Sequence, residues 1–137
     1  MGADITLISH FKEVAADIER TAKERMGVAV NEVRNEILVT LSGNRSGRTY
    51  KVPGTQRTYT ASAPGQPPAQ RLGELRQSIS TEVEGQGKKI IGSVGSNKKY
   101  APMLEFGTKN MAARPWLRPT FEKKRKDIEE IFIRRWF

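Results

Sequence analysis

Residues 4–41 read DITLISHFKEVAADIERTAKERMGVAVNEVRNEILVTL. Apolar side chains recur at Leu7, Phe11, Val14, Ile18, Ala22, Met26, Ala29, Val33, Ile37 and Leu41. Every gap is three or four residues, so these side chains line one face of an α-helix. Asp4 is a suitable N-cap, and Gly43 closes the pattern where glycine usually ends a helix. At 1.5 Å per residue such a helix runs about 55 Å, whereas a compact chain of this size is roughly 37 Å across. It must break, most naturally at Gly27, or overhang its own domain. An overhanging apolar stripe needs a cover, and a neighbouring copy is the simplest one. That consideration makes Leu7, Phe11 and Ile18 candidate subunit-interface residues.

Downstream, GRTYKV (47–52) and RTYTAS (57–62) flank Pro53-Gly54 and read as a β-hairpin. Its strands are short and polar. Arg45, Arg48, Lys51 and Arg57 lie on or beside it, with no acid anywhere in residues 42–61. These four are candidate DNA-facing residues, set against the alternative of a solvated hairpin. APGQPPA (63–69) carries three prolines and reads as an extended connector. RLGELRQSI (71–79) predicts a short helix. Ser78–Val83 and Lys89–Val94 predict two strands around Gly85-Gln86-Gly87. A short helix over Tyr100–Phe106, stopped by Gly107, precedes a last helix from Pro119 or Thr120. The expected fold is α+β. It has a long N-terminal helix, an antiparallel sheet of about four strands, short helices and a C-terminal helix. One domain spans 1–137, comprising the long helix (1–41), the basic hairpin (47–62), and the sheet with the C-terminal helices (63–137).

Charge is unevenly placed. The net charge is +9 overall, but residues 1–41 hold seven acids and five bases. Residues 109–137 hold nine bases and four acids. A basic surface can meet a polyanion, or one copy's acidic face can meet the next copy's basic face. Hence a non-specific DNA-binding module stands as an alternative function. KKRK at 123–126 spreads around a helix circumference and reads more simply as a solvated face.

Enzyme chemistry finds little support. With no cysteine and one histidine, His10, thiolate nucleophiles and zinc sites of cysteine or clustered histidine are excluded. No HExxH, GxSxG, Walker or GxGxxG pattern occurs. Glu82 and Glu84 share a strand face, which alone is weak evidence of catalysis. No enzymatic activity and no cofactor is expected. No apolar run approaches the roughly 20 residues of a membrane span, so no membrane partner is expected.

The stretch YAPMLEFGTKNMAARPWLRPTF (100–121) concentrates interface-type residues around a loop. For Trp116, core packing and docking both stand. Leu104 and Phe106 are expected in the core. Arg114, Trp116 and Arg118, with Trp136 and Phe137 at the basic tip IFIRRWF, are candidate subunit-interface residues.

Two motifs together carry a resemblance. The first comprises Ala63-Pro64-Gly65, Pro67-Pro68-Ala69, Gly73, Leu75-Arg76 and Ser78-Ile79. The second comprises Tyr100-Ala101, Leu104-Glu105-Phe106-Gly107-Thr108, Ala113-Arg114-Pro115 and Leu117-Arg118-Pro119. In this order after a long helix, they resemble the neck or tail-completion (head–tail joining) proteins of siphophage-type bacteriophages and prophages. The basic tip is not part of that pattern. The resemblance implies a non-enzymatic structural virion protein that joins head and tail or caps the tail tube. It implies a ring around the DNA path, with a hexamer favoured to match a tail tube. The implied partners are other copies of the chain, phage connector or tail-tube proteins, and non-specific contact with genomic DNA. The implied location is the virion neck or tail, with the host cytoplasm during assembly.

Overall fold

In a computed structural model of the chain, residues 2–70 and 73–134 are described, with side chains from Glu13 onward. Helix α1 (Gly2–Thr40) is followed by strands β1 (Thr49–Lys51) and β2 (Thr58–Thr60). Then come α2 (Glu74–Ser78), β3 (Ile79–Gln86), β4 (Lys89–Ser96), α3 (Ala101–Phe106) and α4 (Arg118–Ile133). The class is α+β, and all four expected strands are present. They form two separate antiparallel pairs, β1–β2 and β3–β4, rather than one sheet. The proline-rich connector and α2 intervene, and the first hairpin is too polar and short to extend an apolar sheet face.

α1 does not break at Gly27, where a Cβ would meet nothing within 4 Å. Its C-terminal half is held on two sides. The β3–β4 pair lies along one side, and α4 runs antiparallel along the other, linking Lys123 to Glu36 and Lys124 to Glu32. Register pairs Thr81 with Val94, Val83 with Gly92 and Gly85 with Ile90, so these residues share the face turned to α1. Gly92 is where the layers touch. A Cβ there would sit 2.5 Å from Met26 Sδ and 2.6 Å from Val30 Cγ1, so only glycine allows the approach.

Lengths explain where the cover stops. An eight-residue strand spans about 26 Å, close to the ~27 Å of helix between Glu19 and Ile37. The hairpin tip accordingly reaches Glu19. Lys23 and then the Gly87 backbone N–H hold the Glu19 carboxyl below its ordinary range. Upstream of the tip, among the described side chains of the stripe, Val14 is 37% and Ile18 44% exposed. Downstream, Ala29, Val30, Val33, Ile37 and Leu41 are buried. Val33, Ile37 and Leu41 form the core with Leu75, Ile79, Ala101 and Trp116.

Helix ends are tied down by distant side chains. The Arg25 guanidinium donates to the carbonyls of Ile131 (2.9 Å) and Arg134 (2.7 Å), placing a cation at the C-terminus of α4. At its N-terminus, Glu105 Oε2 accepts the N–H groups of Trp116 and Leu117 at 2.7 and 2.8 Å. Glu105 Oε1 accepts that of Arg118 at 2.9 Å. These are donors that a helix cannot satisfy internally.

Candidate docking surface

The two motif segments converge on one groove of about 680 Å³. Leu41 at the end of α1 contributes to it, as do Pro68 and Leu75 from the first motif and Met103, Leu104 and Met111 from the second. Arg114 staples the two segments together. Its guanidinium donates to the Ser62 carbonyl at 2.7 Å, and its own N–H donates to the Leu104 carbonyl at 2.6 Å. The Gly65 N–H donates to the Ala113 carbonyl at 3.1 Å, completing the join. Arg114 is therefore half-buried and structural on at least one side.

Local rules fix which side chains face outward. On α3, Ala101, Leu104 and Glu105 follow i, i+3, i+4 spacing and turn inward. Met103 and Phe106 consequently point to solvent, 53% and 77% exposed. Phe106 is thus a surface residue, contrary to the expectation from its sequence, while Leu104 packs against the core as expected. Gly107 ends α3 with φ +79, and a Cβ there would lie 2.9 Å from Ala113 N, so the return of the chain past α3 depends on it. Tyr100 stands at the groove edge. Burial, and then Glu74, raises its phenol above the ordinary value, so it is neutral near pH 7.

Trp116 belongs to the core, 3% exposed, with its indole N–H donated to the Ala101 carbonyl at 3.1 Å. Its expected position near an interface is thereby corrected: the short α3 and the Arg-Pro steps fold the tryptophan under α1. Arg118 and Ile18 are exposed. Leu7 and Phe11 lie in α1, but their side chains are outside the described residues, as are Trp136 and Phe137 altogether.

The hairpin residues divide. Arg45 is a clamp rather than a free cation. Its guanidinium donates to the carbonyls of Pro67 (2.7 Å), Asn44 (2.9 Å) and Thr40 (2.5 Å), binding the end of α1 to the connector. Partial burial lowers its pKa from the ordinary value. Arg48, Lys51 and Arg57 are exposed, and none has an acidic partner among the described residues. KKRK behaves as a helix surface. Lys123 and Lys124 reach α1, and Arg125 pairs with Glu122 and Glu129 on its own helix.

Two features escaped sequence reading. Glu105 as the cap of α4 gives no local signal, because the acceptor lies outside the helix that it serves. The outward face of α3 could have been found by laying Ala101, Leu104 and Glu105 on a helical wheel. Among the described residues, no group of His, Cys, Asp or Glu could hold a metal ion, and no helix is long and apolar enough to cross a membrane.

A family profile described as "Bacteriophage HK97-gp10, putative tail-component" matches residues 5–107. That range takes in α1, both hairpins, α2 and α3, including the lining of the groove up to Leu104. No curated protein and no solved structure matches the chain.

Proposed function

Because this chain belongs to the HK97-gp10-like family of bacteriophage tail components, we propose that it acts as a non-enzymatic structural protein of the virion. In this reading it joins head and tail, or completes and caps the tail tube, by assembling as a ring around the DNA path. Residues 1–137 act as one domain. A hexamer fits a tail-tube partner, and connector or tail-tube proteins flank the ring. Assembly takes place in the host cytoplasm.

The observation that carries the reading is the unbroken α1, whose apolar stripe is exposed at Val14 and Ile18 and buried from Ala29 onward. An apolar face left in water favours association. Light scattering and native mass spectrometry over a concentration series, with and without the cognate tail-tube or connector protein, test it. Discrete closed oligomers are expected. Monomer under every condition sinks the proposal.

A second reading has its own support in Arg48, Lys51 and Arg57, three exposed cations on a hairpin clear of acids. Phosphate attraction needs no more than such a cluster. It describes either a lumen-facing loop of the ring or a separate, non-specific DNA-binding role.

A further inference from the structure

We propose that the uncovered turn of α1 around Val14 and Ile18 inserts into the groove of a second copy, making the head-to-tail contact of the ring. The inference rests on the ring reading and names its interface. Val14 and Ile18 are one helical turn apart and both exposed, and Leu7 and Phe11 continue their spacing along the same helix. That is the anchor pattern of a helix laid in an apolar groove. The receiving groove is apolar, and its exposed Met103 adapts readily to an incoming side chain.

Geometry excludes the same copy as the donor. Leu41 lines the groove, and Ile18 lies 23 residues upstream on an unbroken helix, about 35 Å away. Donor and acceptor thus sit toward opposite ends of each molecule. A contact between unlike surfaces repeats from copy to copy and closes into a ring when its rotation allows.

Charge favours the same pairing. Glu13 and Asp17 flank the exposed apolar pair, Asp17 sharing its charge with Arg20 at 2.9 Å, and the groove lining carries Arg76 and Arg114 against one carboxylate, Glu74. The acids farther along α1, Glu32 and Glu36, are already met by α4 of the same chain. Among the described residues no cation from another element pairs with Glu13 or Asp17; Asp17 is met only by Arg20, three residues on along α1.

The chain has no cysteine, so directed crosslinking is clean. Full-length Ile18→Cys and Met103→Cys proteins are mixed at assembling concentration, with the tail-tube protein present, and oxidised with copper–phenanthroline. A disulfide forms only where the Cα atoms come within about 7 Å. The mixed dimer should dominate over either self-crosslinked species. Ile18→Asp and Met103→Asp should each weaken assembly at least about tenfold, because a buried unpaired charge is costly. Both should keep the parent's melting temperature. Rings that form without excess mixed dimer, or a dominant Ile18→Cys self-dimer, overturn this interface and leave the ring reading intact. Unfolding of Ile18→Asp also overturns it, since that side chain would then be packed within its own copy. Absence of any assembly by the unsubstituted chain overturns both proposals.

Discussion

The carboxylate of Glu105 lies 2.7 Å from the backbone nitrogen of Trp116, and through the same contact set it closes the start of α4. One side chain thus joins α3, the Arg-Pro loop and the last helix. Loss of that carboxylate by Glu105→Ala should cost about 1–2 kcal/mol, as for other helix N-caps. Glu105→Gln keeps an acceptor and should cost less. Thermal denaturation followed by circular dichroism measures both. An alanine variant as stable as the parent would show that water replaces the cap.

Trp116 and Phe106 provide an opposed pair. Trp116→Ala should lose about 3–5 kcal/mol, since it empties a core site and leaves the Ala101 carbonyl without its indole donor. Phe106→Ala, on a side chain 77% exposed, should change stability by no more than about 0.5 kcal/mol. Urea titrations of the two variants decide whether core and surface are assigned correctly.

Gly92→Ala should destabilise the chain by about 1–3 kcal/mol by forcing β4 away from Met26 and Val30. Met26→Ala opens space beside the new methyl group. The double variant should therefore be more stable than the sum of the single effects implies. Strict additivity in a double-mutant cycle would place the strain elsewhere.

Salt dependence tests the hairpin. If Arg48, Lys51 and Arg57 meet phosphates, replacing all three by glutamine should lower the slope of log K against log salt by about 2–3 on duplex DNA. Arg45 is left out of that set because its guanidinium is committed to backbone carbonyls. An unchanged slope would remove the hairpin from the DNA reading.

Glu19 gives a pH prediction. Its carboxyl is held below the usual value by Lys23 and by the Gly87 N–H, so the charged form is favoured in the folded chain. The associated stabilisation is fully present above the unfolded pKa, near 4.5, and is lost as pH falls through the lower folded value. Amide exchange at Gly87 should quicken over that window relative to the helix core, and the quickening should vanish in Glu19→Gln. Equal pH dependence in both proteins would contradict it.

Much of this architecture is local and therefore legible. The three-and-four spacing from Leu7 to Leu41 specifies a helix because side chains one turn apart share a face. Pro53-Gly54 specifies a turn because their backbone preferences match it, and the structure returns the Thr55 N–H to the Val52 carbonyl. The two motifs were visible as motifs, but not as two walls of one groove. The sequence does not place Phe106 on the surface, because six helical residues give too little periodicity to separate inside from outside without knowing what they pack on.

The sequence by itself determined the long helix, both hairpins, the stops at Gly43 and Gly107, and a charge and residue inventory poor in catalytic groups. Only the tertiary structure decided that Val14 and Ile18 stay exposed on α1, because that depends on how far a separate hairpin reaches along it. It also decided that Arg25 meets Ile131 across 106 residues, Arg45 meets Pro67 across 22, and Glu105 meets Trp116 across 11. Helical and strand periodicity report only on near neighbours in the chain. Which charge ends as a clamp, and which remains free for a partner, is set by distances in space that no such spacing encodes.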